Sequence, residues 1–409
     1  MPKPLDGIRV IEWAAFHNGP AAGYMLGDLG AEVIKLEEPV KGDPSRGMTQ
    51  MFGESVMLPG GRLVGFELAN RNKKSVAVNL KSEQGRQLVY KLVEKADVFY
   101  TNYYRNGILQ ELKMDYETLR RYNPRLIYAI NSGYGLEGPL KDDRAFDTIG
   151  QARSGLMWAV GDRDSDEPYQ TVAAPCDQVG ATMLAYSILA ALVARERQGI
   201  GQQLEVSLLG SAIHMQGIGV NMNLLRHRSY ARHSRERARN PMANHYRCSD
   251  GKWLMLAEPQ SDRFWGQFCQ MLGLGKMIED PRYATALARR DNYTECNAAV
   301  AQVLATRPRD EWLRHFKQEG AEFAHSPIYD YHDVAEDPQA LDNDYVVDFN
   351  HPALGPVKVV GCPAKFSQTP AGIQCEAPEL GQHTEEVLLD LLGMSWEDIA
   401  TLKEQGAIG

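Results

Sequence analysis

No two cysteines in this 409-residue sequence stand at C-x-x-C spacing. The six that are present, Cys176, Cys248, Cys269, Cys296, Cys362 and Cys375, are scattered. That argues against zinc or thioredoxin-type chemistry and leaves a reducing cytoplasm as the simplest setting. An excess of positive charge is lacking too. Lys and Arg number 44 against 53 Asp and Glu, a formal net charge of −9, which opposes a broad nucleic-acid or anionic-membrane role while leaving room for a local basic pocket. Met1 to Gly7 is polar and runs straight into a strand-like segment, so no signal peptide is expected. There is no internal repeat and no low-complexity tract.

Long apolar runs are also scarce, with one conspicuous case between Val172 and Arg197. Ala173, Ala174, Pro175 and Cys176 read as an extended lead-in. Gln178 to Ala194 is apolar nearly all round and short for a bilayer span, which predicts a buried core helix. Arg195 to Arg197 and Gly199 supply a basic last turn and a glycine stop. Asp177 then falls at the N-cap or in the first turn. It either caps the helix or is an ionised nucleophile whose charge the helix dipole helps to hold. Cys176 beside it is a rival nucleophile or a small buried residue.

Upstream, strand and helix signals alternate. Strands are expected at Ile8 to Trp13, Glu32 to Leu36, Lys74 to Asn79, Val98 to Thr101 and Leu126 to Ile130. Helices are expected from Gly19 to Leu29, Glu83 to Lys95 and near Tyr116 to Tyr122, with a sixth strand at Leu204, Val206 and Leu208. This is the pattern of a doubly wound α/β sheet, in which ligands collect at the carboxyl ends of the strands. That rule points to Phe16 to Asn18, Asn79 to Lys81, Asn102 to Tyr104 and the turn after Ile130. The turn Gly133-Tyr134-Gly135-Leu136-Glu137-Gly138 fits G-x-G-x-x-G, but it is not in the first strand–helix unit and opens no helix, so a nicotinamide site is disfavoured.

Val40 to Lys73 has no clear period and reads as a lid, a partner contact or a disordered connection. Leu225 to Asn240 carries six arginines and reads as a solvated linker, with phosphate binding as the other possibility. Ala243 to about Ile328, with a strand at Trp253 to Ala257 and helices from Phe264, Asn292 and Glu311, looks like a smaller α+β domain. Another strand at Val357 to Val360 and helices at Thr384 to Leu392 and Trp396 to Gln405 close the chain, the last capped by Ser395 with Asp398. The domain expectation is a large domain over 1–224, completed by about 345–409, and a linker with the small domain over 225–344.

Several ordered blocks carry a resemblance. Gly7-Ile8-Arg9-Val10-Ile11-Glu12, Gly30-Ala31-Glu32-Val33-Ile34-Lys35-Leu36-Glu37, Gly42-Asp43-Pro44, Asn72-Lys73-Lys74-Ser75, Gly361-Cys362-Pro363-Ala364-Lys365-Phe366-Ser367 and Leu380-Gly381-Gln382-His383-Thr384 resemble the class III CoA-transferases, nearly end to end. The resemblance implies a Rossmann-like large domain, a smaller α+β domain and an interlocked dimer, a homodimer or a heteromer. The partners it implies are an acyl-CoA and a carboxylic acid, with no tightly bound cofactor and no metal.

The family's nucleophilic aspartate matches Asp177, which would pass through a mixed anhydride and an aspartyl-CoA thioester. Backbone N–H groups near Gln178 or the glycine turn would stabilise the oxyanion. By the same resemblance, the CoA-binding segments match His17 and Asn18, Val78, Asn79, Leu80 and Lys81, Asn102, Tyr103 and Tyr104, and Arg144, Ala145 and Asp147. Lys81 and Arg144 suit phosphates, and Asn102 suits pantetheine or adenine. Asp147 either orients substrate or caps the next helix.

His17 replaces a family Gln, Glu38 replaces a basic residue, and the glycine run of the oxalate site is missing, which argues against oxalate. The overall pattern is nearer to members acting on aryl-alkanoic or branched acids, with succinyl-CoA as the default donor. The alternatives are an acyl-CoA racemase on the same fold, whose His position is Phe146 here, and a non-catalytic subunit of a heteromeric transferase.

Overall fold

The computed structural model describes residues 1–51 and 53–409. They form two compact units, one of Met1–Met157, Gln170–Ser229 and Leu341–Gly409, the other of Trp158–Tyr169 and Tyr230–Ala340.

The first unit is built on six strands: β1 (Arg9–Trp13), β2 (Glu32–Glu37), β3 (Lys73–Ala77), β4 (Val98–Thr101), β5 (Ile127–Ser132) and β6 (Gln202–Ser207). All pair in parallel, in the order β3-β2-β1-β4-β5-β6. Buried on both faces, β4 and β5 are nearly continuous apolar runs rather than alternating ones. Successive side chains still divide between two cores. Ile11, Ile34, Val76, Phe99 and Tyr128 pack with Leu88 and Leu92 and with the C-terminal Leu388, Ile399 and Ile408. Val10, Val33, Val98, Tyr100 and Ala129 pack on the opposite face.

Helices are placed by this division. α1 (Asn18–Asp28) and α5 (Pro175–Gln198) share the second face, through Ala21, Ala22 and Leu26 and through Ala181, Leu184, Ile188 and Leu192. α3 (Glu83–Glu94) covers the first face, capped by Ser82. α2 (Val64–Asn70), α4 (Asp147–Ser154) and α6 (Leu208–Met215) complete the set used below. The chain winds outward from β1 to β3, returns, and winds the other way from β4 to β6. The connections after β1 and β4 therefore leave toward opposite faces of the sheet, and at such a point these folds open a crevice.

Several expectations are corrected. α5 has the length and composition of a membrane span, and its sheet-facing side is packed, but it is not buried all round: Tyr186 is 64% and Val193 52% exposed. The last strand ends at Ser207, whose hydroxyl caps α6 by accepting from Gly210, so Leu208 is helical. The helix near Tyr116 is a single turn, Tyr116–Leu119. Val40 to Lys73 is not structureless. It holds a 3-10 turn (Pro44–Gly47), a two-residue hairpin pairing Gln50 with Ser55, and α2.

Cys375 and Gly372 join the N-terminal half through the Asn72 side chain. The closing helices are Thr384–Asp390 and Trp396–Glu404, the latter with the Ser395–Asp398 capping box.

In the second unit, Trp253–Ala257 is the centre of a three-stranded antiparallel sheet between Ala243–Arg247 and His325–Ile328. Trp265, Phe268, Trp312 and Phe316 fill its core. The arginine run is not a plain solvated linker. Arg232 lies 3.5 Å over the Trp158 ring and donates to the carbonyls of Asp162 and Ser165, and Arg237 pairs with Asp164 at 3.0 Å. The six cysteines are all free.

Gly23 in α1 shows how closely helix and sheet approach. A Cβ there would land on the carboxylate of Glu12 and the hydroxyl of Tyr100, both fully buried. Alanine gains about 1 kcal/mol of helix propensity over glycine, but the collision outweighs it. Gly23→Ala should lose on the order of 2 kcal/mol or more in urea unfolding; a variant as stable as the parent would show that α1 can lift off the sheet.

Candidate active site

At the crevice, Asp177 is the third residue of α5. The lead-in is not extended as its composition suggests. Ala173 and Ala174 have φ of +74° and +48°, the second directly before Pro175. Left-handed alanines are strained, at roughly 1–3 kcal/mol each, and α4 supplies the compensation. Gln151 is fully buried; its amide oxygen accepts from the Thr171 N–H at 3.0 Å and its Nε2 donates to the Thr171 carbonyl at 2.9 Å.

Asp147, the first residue of α4, reaches across to α5. Its Oδ1 accepts the backbone N–H groups of Cys176 at 2.7 Å and Asp177 at 3.0 Å, and its Oδ2 accepts from Gln151 at 2.5 Å. Asp147 thus caps a helix, but a different one from the helix it begins.

The electrostatics follow from this cap. N–H groups that would have steadied an ionised Asp177 are spent on Asp147. Burial, and then the Asp147 charge, push the Asp177 carboxyl up to about 7. The expectation that the helix dipole holds it ionised is therefore corrected. Cys176 is fully buried, and burial pushes its thiol up to about 12, with Asp147 and Asp177 adding to the effect; it is packing, not a rival nucleophile.

Facing Asp177 is a cavity of about 330 Å³. The β1–α1 loop contributes Phe16, His17 and Asn18, the end of β4 contributes Asn102, Tyr103 and Tyr104, and Arg144 and Ala145 lie on the loop before α4. His17 Nε2 lies 3.2 Å from Gln178 Oε1, and burial, which outweighs that hydrogen bond, holds the ring below its ordinary value. Its neutral tautomer with the proton on Nε2 donates to Gln178.

Asn18 accepts from Asn131 at 2.6 Å and lies against Gly180, where any Cβ would collide with its amide. Asn102 spends its amide on Ala15, donating to the carbonyl at 2.8 Å and accepting from the N–H at 3.0 Å, so it anchors the loop. Tyr103 stacks on Trp13, and Tyr104 accepts from the Gly133 N–H at 2.8 Å.

Val78, Asn79, Leu80 and Lys81 do not line this cavity. Val78 bridges to Ile408, and the Asn79 N–H donates to the Ala407 carbonyl, because the C-terminus folds back onto this strand end. Three expected oxyanion donors are also committed elsewhere. Gln178 N–H goes to Ala174, Gly133 N–H to Tyr104 and Gly135 N–H to Ser132.

Sequence reasoning pointed to the turn after Ile130 without naming Asn131 or Ser132 as site residues, and it missed Ala15, Arg105 and Leu208 on the cavity wall. Asn131 and Ser132, a polar pair ending an apolar strand, were the available signal. Glu205 had none, yet it braces the glycine turn by accepting from Leu136 N–H at 2.5 Å.

A six-stranded parallel sheet of this order, with a carboxylate at a helix N-terminus facing the central crevice, defines an α/β enzyme of the ligand-at-the-switch-point class. Residues 5–384 match the model of CoA-transferase family III, and the chain belongs to this family. It is 31% identical over 414 residues to the succinyl-CoA–D-citramalate CoA-transferase of Chloroflexus aurantiacus, covering 100% of this chain and 98% of that one. It is 32% identical to the (R)-2-hydroxy-4-methylpentanoate CoA-transferase of Clostridioides difficile, covering 99% of each. A CaiB/BaiF family protein from Brucella suis has the same fold, with a TM-score of 0.83, 28% identity and coverage of 96% and 100%. CoA thioesters are the substrates of such enzymes, and acyl-CoA and carboxylate substrates fit these relatives.

If Asp177 is the attacking group, its carboxyl, raised to about 7, should give a rate of first acyl transfer that climbs about tenfold per unit up to that pH and then levels. Asp147→Asn removes the neighbouring charge and should move the midpoint down. Folding gives a second check. Because the folded-state value is raised, the folded protein holds its proton more tightly, so Asp177 favours folding fully below its unfolded value and loses that contribution as pH rises through about 7. Asp177→Asn should therefore be more stable than the parent at pH 8, by on the order of 4 kcal/mol, with the gap closing toward pH 4.

Proposed function

We propose that this enzyme moves CoA from an acyl-CoA donor to a carboxylic acid through covalent intermediates on Asp177. An Asp177 oxygen attacks the donor thioester carbon, the C–S bond breaks, and CoA thiolate leaves an acyl-aspartyl anhydride. The thiolate then attacks the aspartyl carbonyl, expelling the donor carboxylate and leaving a CoA thioester on Asp177. The acceptor carboxylate attacks that thioester and displaces the thiolate, which finally attacks the acceptor carbonyl and frees Asp177. No net proton or water is consumed, and the thioester energy is kept.

The observation that carries this reading is the position and basicity of Asp177 in the 330 Å³ cavity. A carboxylate near pKa 7 is a stronger nucleophile than an ordinary one and is still about half ionised at neutral pH. His17, Asn18, Asn102 to Tyr104, Arg144 and Ala145 would hold the pantetheine and thioester, with Arg144 for a phosphate. Lys81, exposed beyond the cavity, would meet the nucleotide end of CoA. Phe16, Phe146, Ala145 and Leu208 give an apolar wall, which suits an aryl-alkanoic or branched acid. The two relatives' names supply a succinyl-CoA donor and a branched acid. Exposed apolar residues on α5 and on the helix Gly217–Arg226 after α6, among them Tyr186, Ile218 and Leu225, support an interlocked homodimer. α-Proton exchange is disfavoured, because Asp147 is 6% exposed with its oxygens engaged and its neighbour is Phe146.

Peptide mass spectrometry after incubation with a panel of acyl-CoAs, with and without hydroxylamine, tests this. CoA or hydroxamate is expected on the Asp177 peptide and not in Asp177→Ala. Solvent deuterium entering the acyl α-carbon without any label on Asp177 would replace the transferase reading with a racemase.

A further inference from the structure

The loop that brings His17 and Asn18 to the cavity is tied down by charges that the chemistry above does not use. Lys35 Nζ donates to the Ala14 carbonyl at 2.7 Å, Asp43 Oδ1 accepts the Phe16 N–H at 3.2 Å, and Lys73 Nζ donates to the Pro20 carbonyl at 2.7 Å. Phe16 needs such restraint. Its φ is +65°, a left-handed conformation that a bulky aromatic residue avoids. Its ring meets Phe146 edge-on at 5.9 Å.

Behind the loop both lysines are fully buried. Lys35 also pairs with Glu12 at 2.9 Å and Asp43 at 2.8 Å; Lys73 pairs with Glu12 at 2.7 Å and donates to Asn70 at 3.0 Å. Each ammonium thus donates two hydrogen bonds and forms an ion pair with a further carboxylate oxygen. Tyr100 donates to Glu12, and Glu37, neutralised by Arg46 at 2.8 Å, accepts the Asp43 N–H. Burying this many charges is an expensive way to fill a core, since apolar residues of the same volume often leave a protein equally stable. Apolar side chains cannot, however, hold the Ala14 carbonyl and Phe16 N–H of a strained loop and the Pro20 carbonyl of α1 in a single geometry.

We infer that Glu12, Lys35, Asp43 and Lys73 are positioning residues of the transferase, holding Phe16 left-handed and thereby fixing His17 against Gln178, the neighbour of Asp177. The inference rests on the proposed Asp177 chemistry for its kinetic readout only.

The test uses the full chain and four variants. Phe16→Gly leaves the network intact but frees the backbone, since glycine adopts this φ and many others without strain. Phe16→Asn also loses the ring, yet favours the left-handed region. Asp43→Ala removes the acceptor of the Phe16 N–H, and Asp43→Asn keeps an oxygen there. Two quantities are read at a temperature where each variant is folded: the Asp177 acylation rate at saturating acyl-CoA, and the His17 ring resonances in histidine-labelled protein. Phe16→Gly is expected to keep its thermal midpoint, to lose at least tenfold in rate and to shift the His17 signals. Phe16→Asn should keep those signals in place. Asp43→Ala should lose both stability and rate, with Asp43→Asn recovering most of the rate.

If rate loss merely follows stability loss, and Phe16→Gly acylates at the parent rate with unmoved His17 signals, the network is structural and the inference falls. Should Asp43→Ala not fold, the Phe16 pair and Asp43→Asn decide. A parent protein that takes no acyl group on Asp177 would remove the transferase reading alone, and the His17 signals would still judge the positioning.

Discussion

Two carboxylates share one helix N-terminus, and the candidate site depends on how they divide it. Asp147 takes the N–H groups of Cys176 and Asp177, which are the strongest donors the start of α5 can offer. Asp177 is left in the same field without the hydrogen bonds that would keep it a weak base. Charge-assisted bonds of this kind contribute roughly 1.5–3 kcal/mol each, enough to hold Ala173 and Ala174 in conformations that alanine avoids. A single side chain thus shapes the helix start and adds its charge to the burial that makes its neighbour basic.

That arrangement has meaning only because of where the sheet puts it. The chain reverses its winding between β1 and β4, so the connections after those strands run to opposite faces, and the start of α5 is brought to the crevice by the packing of Ala181, Leu184 and Ile188 on the sheet. The opposite wall is the β1–α1 loop, bound to Asn102 on one side and to the buried lysines on the other. Gly23 and Gly180 let α1 and α5 come close enough for Glu12, Tyr100 and Asn18 to meet them. The cavity walls are held by polar bonds, while the layers behind them are held by apolar contact.

The alternation of apolar runs with helical periods marks an α/β sheet because a parallel strand buried on both faces must be continuously apolar and its crossover must be a helix. Asp177 in a first turn and the cavity loops at Phe16 to Asn18 and Asn102 to Tyr104 follow from the same local rules, since strand ends in such sheets face the crevice. Those rules fail at Val78 to Lys81, where residues more than three hundred positions later occupy the strand end. They fail again at Arg232, whose carbonyl partners lie far upstream in the chain, and on α5, where composition cannot tell a helix packed on one side from one packed all round.

By itself, then, the sequence determined the strands and helices, the fold class and the position of one acid at a helix start, because these depend on neighbours within a few residues. Only the tertiary structure decided the partners. Asp147 is thirty residues from Asp177, and neither the left-handed alanines nor the shared N-terminus has any local signature. The protonation of Asp177 is set by burial and by a charge brought near through folding, and no reading of spacing along the chain contains that distance.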